Sequence, residues 1–401
     1  MRVSLNPARI SIPVTSGGLA EAAVRPLLAS SGARVILGER DSIMGEARPI
    51  IPARDTLFGP RGACLASPQG PLFVCDTGHH RLLIWSNPPS QDHALADFLI
   101  GQPYFKHEGR NAKGEVTAST LNVPTGVAAS DGVLAVADAW NHRVLIWHGY
   151  PQHSNQPADV VLGQSDFSGG LANRGSDTAN ADTLNWCYGV MIANGRLFVA
   201  DTGNRRVLMW NQIPTGSGLA PDLVLGQTDF KTRDENGGNA PGAMSMRWPH
   251  GMAIAGDRLL VADAGNNRVM VWNRIPGKNG APCDFVLGQS DAASVDHNMA
   301  AYYPTAAAMN MPYGVTVIGG TLAVTDTANS RLLGFDLENL AMGASADKLA
   351  GQATFVNKGD NRWGSSKRDS LCWPYNAAAC SSTLVIADSG NNRVLLWEAA
   401  S

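Results

Sequence analysis

The chain has 401 residues, 44% of them hydrophobic, with a formal net charge of −3 and a pI near 6.3. That balance supplies a substantial core and argues against a chain built to bind polyanions or anionic membranes. No apolar run approaches the roughly 18 residues of a membrane span, and the first residues, MRVSLNPARISIPVTSGG, lack a signal-peptide core, so a cytoplasmic protein with no membrane partner is expected.

Residues 1–34 resemble nothing downstream and form an N-terminal extension of uncertain structure. RISIPV alternates like a strand, and LAEAAVRPLLASSG has helical composition, interrupted by Pro26 and stopped near Gly32. VILG at 35–38 is the first piece of a repeat that continues to the last residue. Three phrases recur. The first reads VADTGNRRVLMW at 199–210, VADAGNNRVMVW at 261–272 and IADSGNNRVLLW at 386–397. Its aspartates are Asp76, Asp138, Asp201, Asp263, Asp326 and Asp388, at successive spacings of 62, 63, 62, 63 and 62, and its arginines, Arg81 to Arg393, keep step. The second phrase is VLGQxDF, with glycines at 38, 101, 163, 226, 288 and 351. The third has the form P-x-G, beginning at Pro60, Pro124, Cys187, Pro249, Pro312 and Pro374.

The units are strand-like: short, β-branched or aromatic, and bounded by Gly, Asn and Pro. Each unit predicts four strands, one after P-x-G, then LxVAD, RVLxW and xVLG. Six such units suit an all-β fold, a six-bladed β-propeller with four antiparallel strands per blade over residues 35–401. The last unit lacks an outer strand after Trp397, and Val35–Gly38 lacks a preceding RVLxW. The N-terminal strand is therefore expected to complete the sixth blade and close the ring.

These phrases resemble the NHL-repeat family of β-propellers. D-x-x-N-x-R-V stands intact at Asp138, Asp201, Asp263 and Asp388, with looser versions at Asp76 and Asp326. The VLGQxDF phrase is similar to that of bacterial members which carry it in every blade. The resemblance implies a fold more than a function, because such propellers include protein-interaction modules, RNA binders and an amidating lyase.

Repeated residues read as scaffold. Asp and Arg can meet across the hairpin base as a brace, and Trp85, Trp147, Trp210, Trp272, Phe335 and Trp397 suit packing between blades. Function is expected where the copies differ. The variable residue of P-x-G is Arg61, Thr125, Tyr188, His250, Tyr313 and Tyr375 around the ring, placed by strand alternation near the channel mouth on the face we term the top. Trp140 adds an aromatic where other turns have Gly or Ala. These seven residues are the expected ligand-binding surface. Trp186, Trp248 and Trp373, just before the phrase, read better as wedges between blades. His79, His80 and His142 read as surface variants of Asn.

No catalytic motif is present, and the ring supplies one histidine, too few for a three-ligand zinc site. No catalytic residue, metal site or cofactor is expected. Calcium at Asn122, Asn185 and Asn310 is a lesser alternative that lacks a carboxylate. The six long connections together carry a net charge of −3, which disfavours nucleic acid. The six cysteines form no C-x-x-C and read as reduced thiols; a Cys64–Cys75 bridge is conceivable from their neighbouring strands. The leading reading is a non-catalytic scaffold holding a protein, peptide or small ligand on the top face. A metal-assisted lyase or hydrolase at the channel mouth is the alternative, and RNA binding the third.

Overall fold

A computed structural model describes residues 24–38 and 50–400. Six antiparallel sheets surround a central channel. Their inner strands are Gly62–Leu65, Pro124–Ser130, Cys187–Ala193, Pro249–Ala255, Pro312–Ile318 and Pro374–Cys380, which define blades one to six. Blade three shows the pattern: Cys187–Ala193, Arg196–Asp201, Arg206–Trp210 and Leu223–Leu225 pair in sequence order from axis to rim. Alternate side chains of each strand face the two neighbouring blades, so the hydrophobic runs of LFVAD and RVLMW are buried on both faces. Phe198, Val207 and Met209 of blade three, for instance, pack with Met252, Val261 and Trp272 of blade four.

The ring closes as the repeat predicts. Val35–Leu37 pairs antiparallel with Arg393–Glu398, Val35 opposite Leu396 and Leu37 opposite Val394. Residues just before it depart from the helical expectation for LAEAAVRPLLASSG. Arg25–Pro26 forms a short strand parallel to Lys348–Ala350 at the rim of blade five, while residues 1–23 of that reading lie outside the described residues. Pro26 suits a strand edge, where its missing N–H is not needed, better than a helix interior. Leu27, Leu28 and Ala33 then bury themselves against blades five and six.

The Asp–Arg pair is a buried brace in all six blades. In blade two, Arg143 Nε donates to Asp138 Oδ2 at 2.8 Å, with both side chains fully buried. The rest of the guanidinium donates to the Phe167, Thr117 and Thr120 carbonyls of the long connections. A buried ion pair tolerates desolvation only when its remaining hydrogen-bonding capacity is also filled, and here it is. The glutamine of LGQ does similar work: Gln164 Nε2 donates to the carbonyls of Asn141, His142 and Leu171. The repeated tryptophans are buried, each donating its indole N–H to a carbonyl, as Trp210 does to Leu219 at 3.1 Å. Trp397 uses Ala29 of the N-terminal segment at 2.8 Å.

All six cysteines are free thiols, and Cys64 lies opposite Phe73, not Cys75. His79, His80 and His142 are not surface variants. His79 is fully buried against Asp76, and the other two accept hydrogen bonds from the next blade. A ring nitrogen of His80 and His142 replaces an amide oxygen as acceptor, whereas His79 Nδ1–H donates to Asp76 as the amide N–H of the turn asparagine does in the other blades.

Candidate functional site

The glycine of P-x-G lets neighbouring inner strands approach at the axis: a Cβ on Gly126 would lie 2.8 Å from the Tyr188 carbonyl oxygen. This close approach brings the variable x residues together. Tyr188 stacks on His250 (centroids 5.3 Å, planes 19° apart), His250 meets Tyr313 at 4.5 Å, and Tyr313 stacks on Tyr375 at 4.5 Å and 19°. The Arg61 guanidinium lies 5.0 Å over the Tyr375 ring. Five of the seven residues expected at the mouth thus form one aromatic plug across the axis. Below it runs a channel cavity of about 300 Å³, which the same five residues roof.

Two residues stand apart. Thr125 is buried and donates its hydroxyl to the Tyr188 carbonyl at 3.0 Å, so it supports the plug from within the wall. Its short side chain cannot reach the axis. Trp140 is 40% exposed in the blade-two turn, where Arg110 lies 5.5 Å over its ring, and it does not line the cavities at the mouth.

Burial sets the electrostatics. It pushes the His250 imidazole down to about 4, opposed by the Trp248 carbonyl that its Nδ1–H meets at 2.9 Å and aided by Arg61. His250 is therefore neutral near pH 7. Burial pushes the Tyr313 and Tyr375 phenols up, so both stay protonated, although Arg61 acts in the opposite sense.

A second cavity, of about 290 Å³, opens above the plug at the junction of blades three and four. Tyr188, His250, Tyr313, Tyr375 and Arg61 form one wall. Trp186, Trp248, Arg205 and the Thr202–Gly203 turn form the other. The reading of Trp186, Trp248 and Trp373 as wedges between blades is corrected here: they are 47%, 37% and 42% exposed. Trp186 and Trp373 sit at φ 47° and 50°, a left-handed backbone that turns the N–H toward the preceding blade and the ring outward. Trp248 is held otherwise, with Arg247 5.1 Å over its ring and paired in turn with Glu235 at 3.0 Å.

Arg205 is the residue that reasoning from the sequence passed over. The equivalent residues are His80, His142, Asn267, Ser330 and Asn392, all left-handed at φ between 51° and 56°, as Arg205 is at 55°. Each of those five accepts a hydrogen bond from the backbone N–H that enters the next blade: Val123, Trp186, Met311, Trp373 and Gly59, at 2.8 to 3.2 Å. Arginine has no acceptor. The Trp248 N–H turns instead to Asp263 Oδ1 at 3.1 Å. The signal was present in the sequence: NRRV stands at 204–207 where other copies read NNRV, NHRV, NSRL or HHRL.

Among the described residues no cluster of three or more His, Cys, Asp or Glu side chains could hold a metal. Asn122, Asn185 and Asn310 lie at equivalent entries to three different blades, each offering its backbone N–H to the local brace aspartate. No helix among the described residues is long and apolar enough to cross a membrane.

The architecture is that of a six-bladed β-propeller with an aromatic mouth. The NHL repeat family model matches residues 121–147 and 246–272, the first three strands of blades two and four with the residues leading into them. NHL repeat-containing protein 2 of Homo sapiens is 27% identical over 232 residues, covering 55% of this chain and 30% of that protein. The Gallus gallus protein of the same name is 27% identical over 233 residues, with the same coverage. The chain thus matches less than a third of the length of these relatives. A protein of unknown function from Bacteroides thetaiotaomicron shares the fold, with a TM-score of 0.50 at 12% identity over 87% of this chain and 71% of that one. The repeat matches and these relatives support the NHL-repeat propeller family for this chain.

Proposed function

We propose that the protein is a non-catalytic binding scaffold that holds its ligand, a protein, peptide or small molecule, at the mouth on the top face. One observation carries this reading. Trp186 and Trp248 present exposed indoles beside a concave wall of Tyr, His and Arg, whereas the repeated tryptophans of the same chain are buried. Exposed aromatics around a concavity with a few polar groups are what a ligand site requires and what a closed scaffold avoids. Among the described residues the mouth's lining holds one neutral histidine and no carboxylate, which offers little for acid–base chemistry. The six free thiols support a reducing compartment such as the cytoplasm. The LGQ ties support membership among the bacterial propellers that carry this phrase.

The test compares wild type with Trp186→Ala/Trp248→Ala as bait in extract from the native source, with proteins and small molecules read by mass spectrometry. A partner retained by wild type and lost by the variant, at equal melting temperature, is expected. Equal retention by both would place the binding surface elsewhere.

A further inference from the structure

We infer that the cavity between blades three and four is a site for an aromatic carboxylate, its acid group held by Arg205 and its ring laid against Trp186 and Trp248. The inference rests on the reading of the mouth as a ligand site and names the chemistry of that ligand.

The first ground is the break in the repeat. At five junctions the left-handed residue laces one blade to the next by accepting a backbone N–H, and at the sixth the same backbone position carries a cation that cannot accept. A long side chain at positive φ, placed where Asn would both relax the backbone and restore the tie, costs the fold something that the scaffold does not recover. Such departures collect at functional sites.

The second ground is charge. Arg205 forms no ion pair among the described residues, and its Nε has no hydrogen-bond partner there. Among the described residues its one side-chain hydrogen bond runs from Nη1 to the Gly203 carbonyl of its own turn. Arg61, on the opposite wall, has no carboxylate partner among the described residues and leans on Tyr375. Among the described residues the lining contains two guanidiniums, no Asp or Glu, and a histidine that burial keeps neutral. Glu235 lies nearby but is engaged by Arg247, which sits over the Trp248 ring. An anion is the complement of this surface, and a planar guanidinium fork matches a carboxylate in two parallel hydrogen bonds.

The third ground is shape. Two exposed indoles and the Tyr188 ring surround about 290 Å³, space for a ligand of one or two rings. Flat aromatic walls stack well on a flat aromatic body. This chemistry has two sources, a free aromatic acid or the C-terminal residue of a peptide that ends in an aromatic side chain.

The experiment titrates naphthoate, its neutral amide, and a tetrapeptide ending in phenylalanine with a free carboxylate, reading intrinsic tryptophan emission and calorimetric heat. Saturable naphthoate binding is expected, weakened at least about tenfold in the amide, as befits loss of a charge-assisted hydrogen bond. Arg205→Asn and Arg205→His install residues that this ring already carries at the position, so both fold. Both should lose naphthoate by at least about tenfold while melting at or above the wild-type temperature. Tighter binding of the peptide than of naphthoate assigns the chain-end source; the reverse assigns the free acid. The inference is overturned if neither acid saturates, or if both Arg205 variants bind as wild type does. Should that happen while Trp186→Ala/Trp248→Ala still releases a captured partner, the mouth remains a binding site and only the ligand chemistry named here fails.

Discussion

The side chains of Asn173 and Asn204 exchange hydrogen bonds: Asn173 Nδ2 donates to Asn204 Oδ1 at 3.0 Å, and Asn204 Nδ2 returns the bond to Asn173 Oδ1 at 2.8 Å. Asn204 belongs to the Asp–Arg turn of blade three, and Asn173 to the long connection leading into that blade. The pairing recurs as Asn111–Asn141, Asn236–Asn266, Asn298–Asn329 and Asn361–Asn391. Each turn asparagine also donates to its brace aspartate, as Asn204 does to Asp201 Oδ2 at 2.8 Å. Asn204→Ala strands a buried amide and removes one donor from a buried carboxylate. A loss of about 1–3 kcal/mol is expected from leaving such groups unsatisfied. Chemical denaturation measures it, and a loss under about 0.5 kcal/mol would mean that the pair behaves as a surface contact.

Arg268 gives a larger effect. Its Nε meets Asp263 Oδ2 at 3.1 Å, and its Nη2 donates to the Gly242 and Ser245 carbonyls at 3.1 and 2.8 Å. Arg268→Ala leaves a carboxylate and carbonyls buried without their cation, at a cost of about 3–5 kcal/mol. Ligand affinity at the mouth, measured at a temperature where the variant is folded, should not change. A selective loss of binding with full stability would turn the brace into a site.

Truncation separates closure from the layer before it. Removal of residues 1–38 deletes the outer strand of blade six and should lower the melting temperature of the whole ring. Removal of residues 1–34 spares that strand but loses Leu27, Leu28 and Ala33 from the core and the Ala29 carbonyl from Trp397. It should therefore also destabilise, though less. A chain lacking residues 1–38 that melts cooperatively at the wild-type temperature would refute the closure.

Acid should loosen the ring through histidines that fold in their neutral form. Burial holds His142 down at about 4, against an ordinary 6.5, while its Nδ1 accepts the Trp186 N–H at 2.9 Å. His250 is held at about 4 as well. A histidine whose folded pKa is depressed takes up its proton first in the unfolded chain. Its contribution to stability is present above about pH 6.5 and lost as the pH falls toward 4. His142→Asn keeps the acceptor and removes the titration. Its melting temperature should fall less than wild type's between pH 6.5 and 4, whereas parallel curves would show that His142 does not titrate with folding.

Much of the fold was legible because each structural role is repeated. Asp263, Arg268 and Trp272 stand in register with five counterparts, so spacing alone declared hairpin, brace and closure. The P-x-G position could be read as a mouth because strand alternation fixes where Tyr188, His250 and Tyr313 point. What stayed hidden depends on conformation rather than residue type. Nothing in the letters shows that residue 186 adopts a left-handed backbone and turns its indole outward. The break that Arg205 makes in the ring could be seen only once the acceptors at the other five junctions were known. The stretch before Val35 misled because helical composition says little about a segment whose partners, Lys348 and Glu398, lie more than 300 residues away.

The pairing of Val35–Leu37 with Arg393–Glu398 also sets a timetable. On the ribosome the first of these strands emerges long before the second exists, and blades one to five can form while it waits. Until Arg393 has left the exit tunnel, the hydrogen-bonding edge of Val35–Leu37 has no native partner, and the flank of blade one that blade six will cover stays open to water. Ring completion thus waits until blade six has emerged. A polypeptide that stops short of Arg393 keeps five finished blades and two unsatisfied sheet edges, a form well suited to capture by chaperones or to pairing with the wrong neighbour.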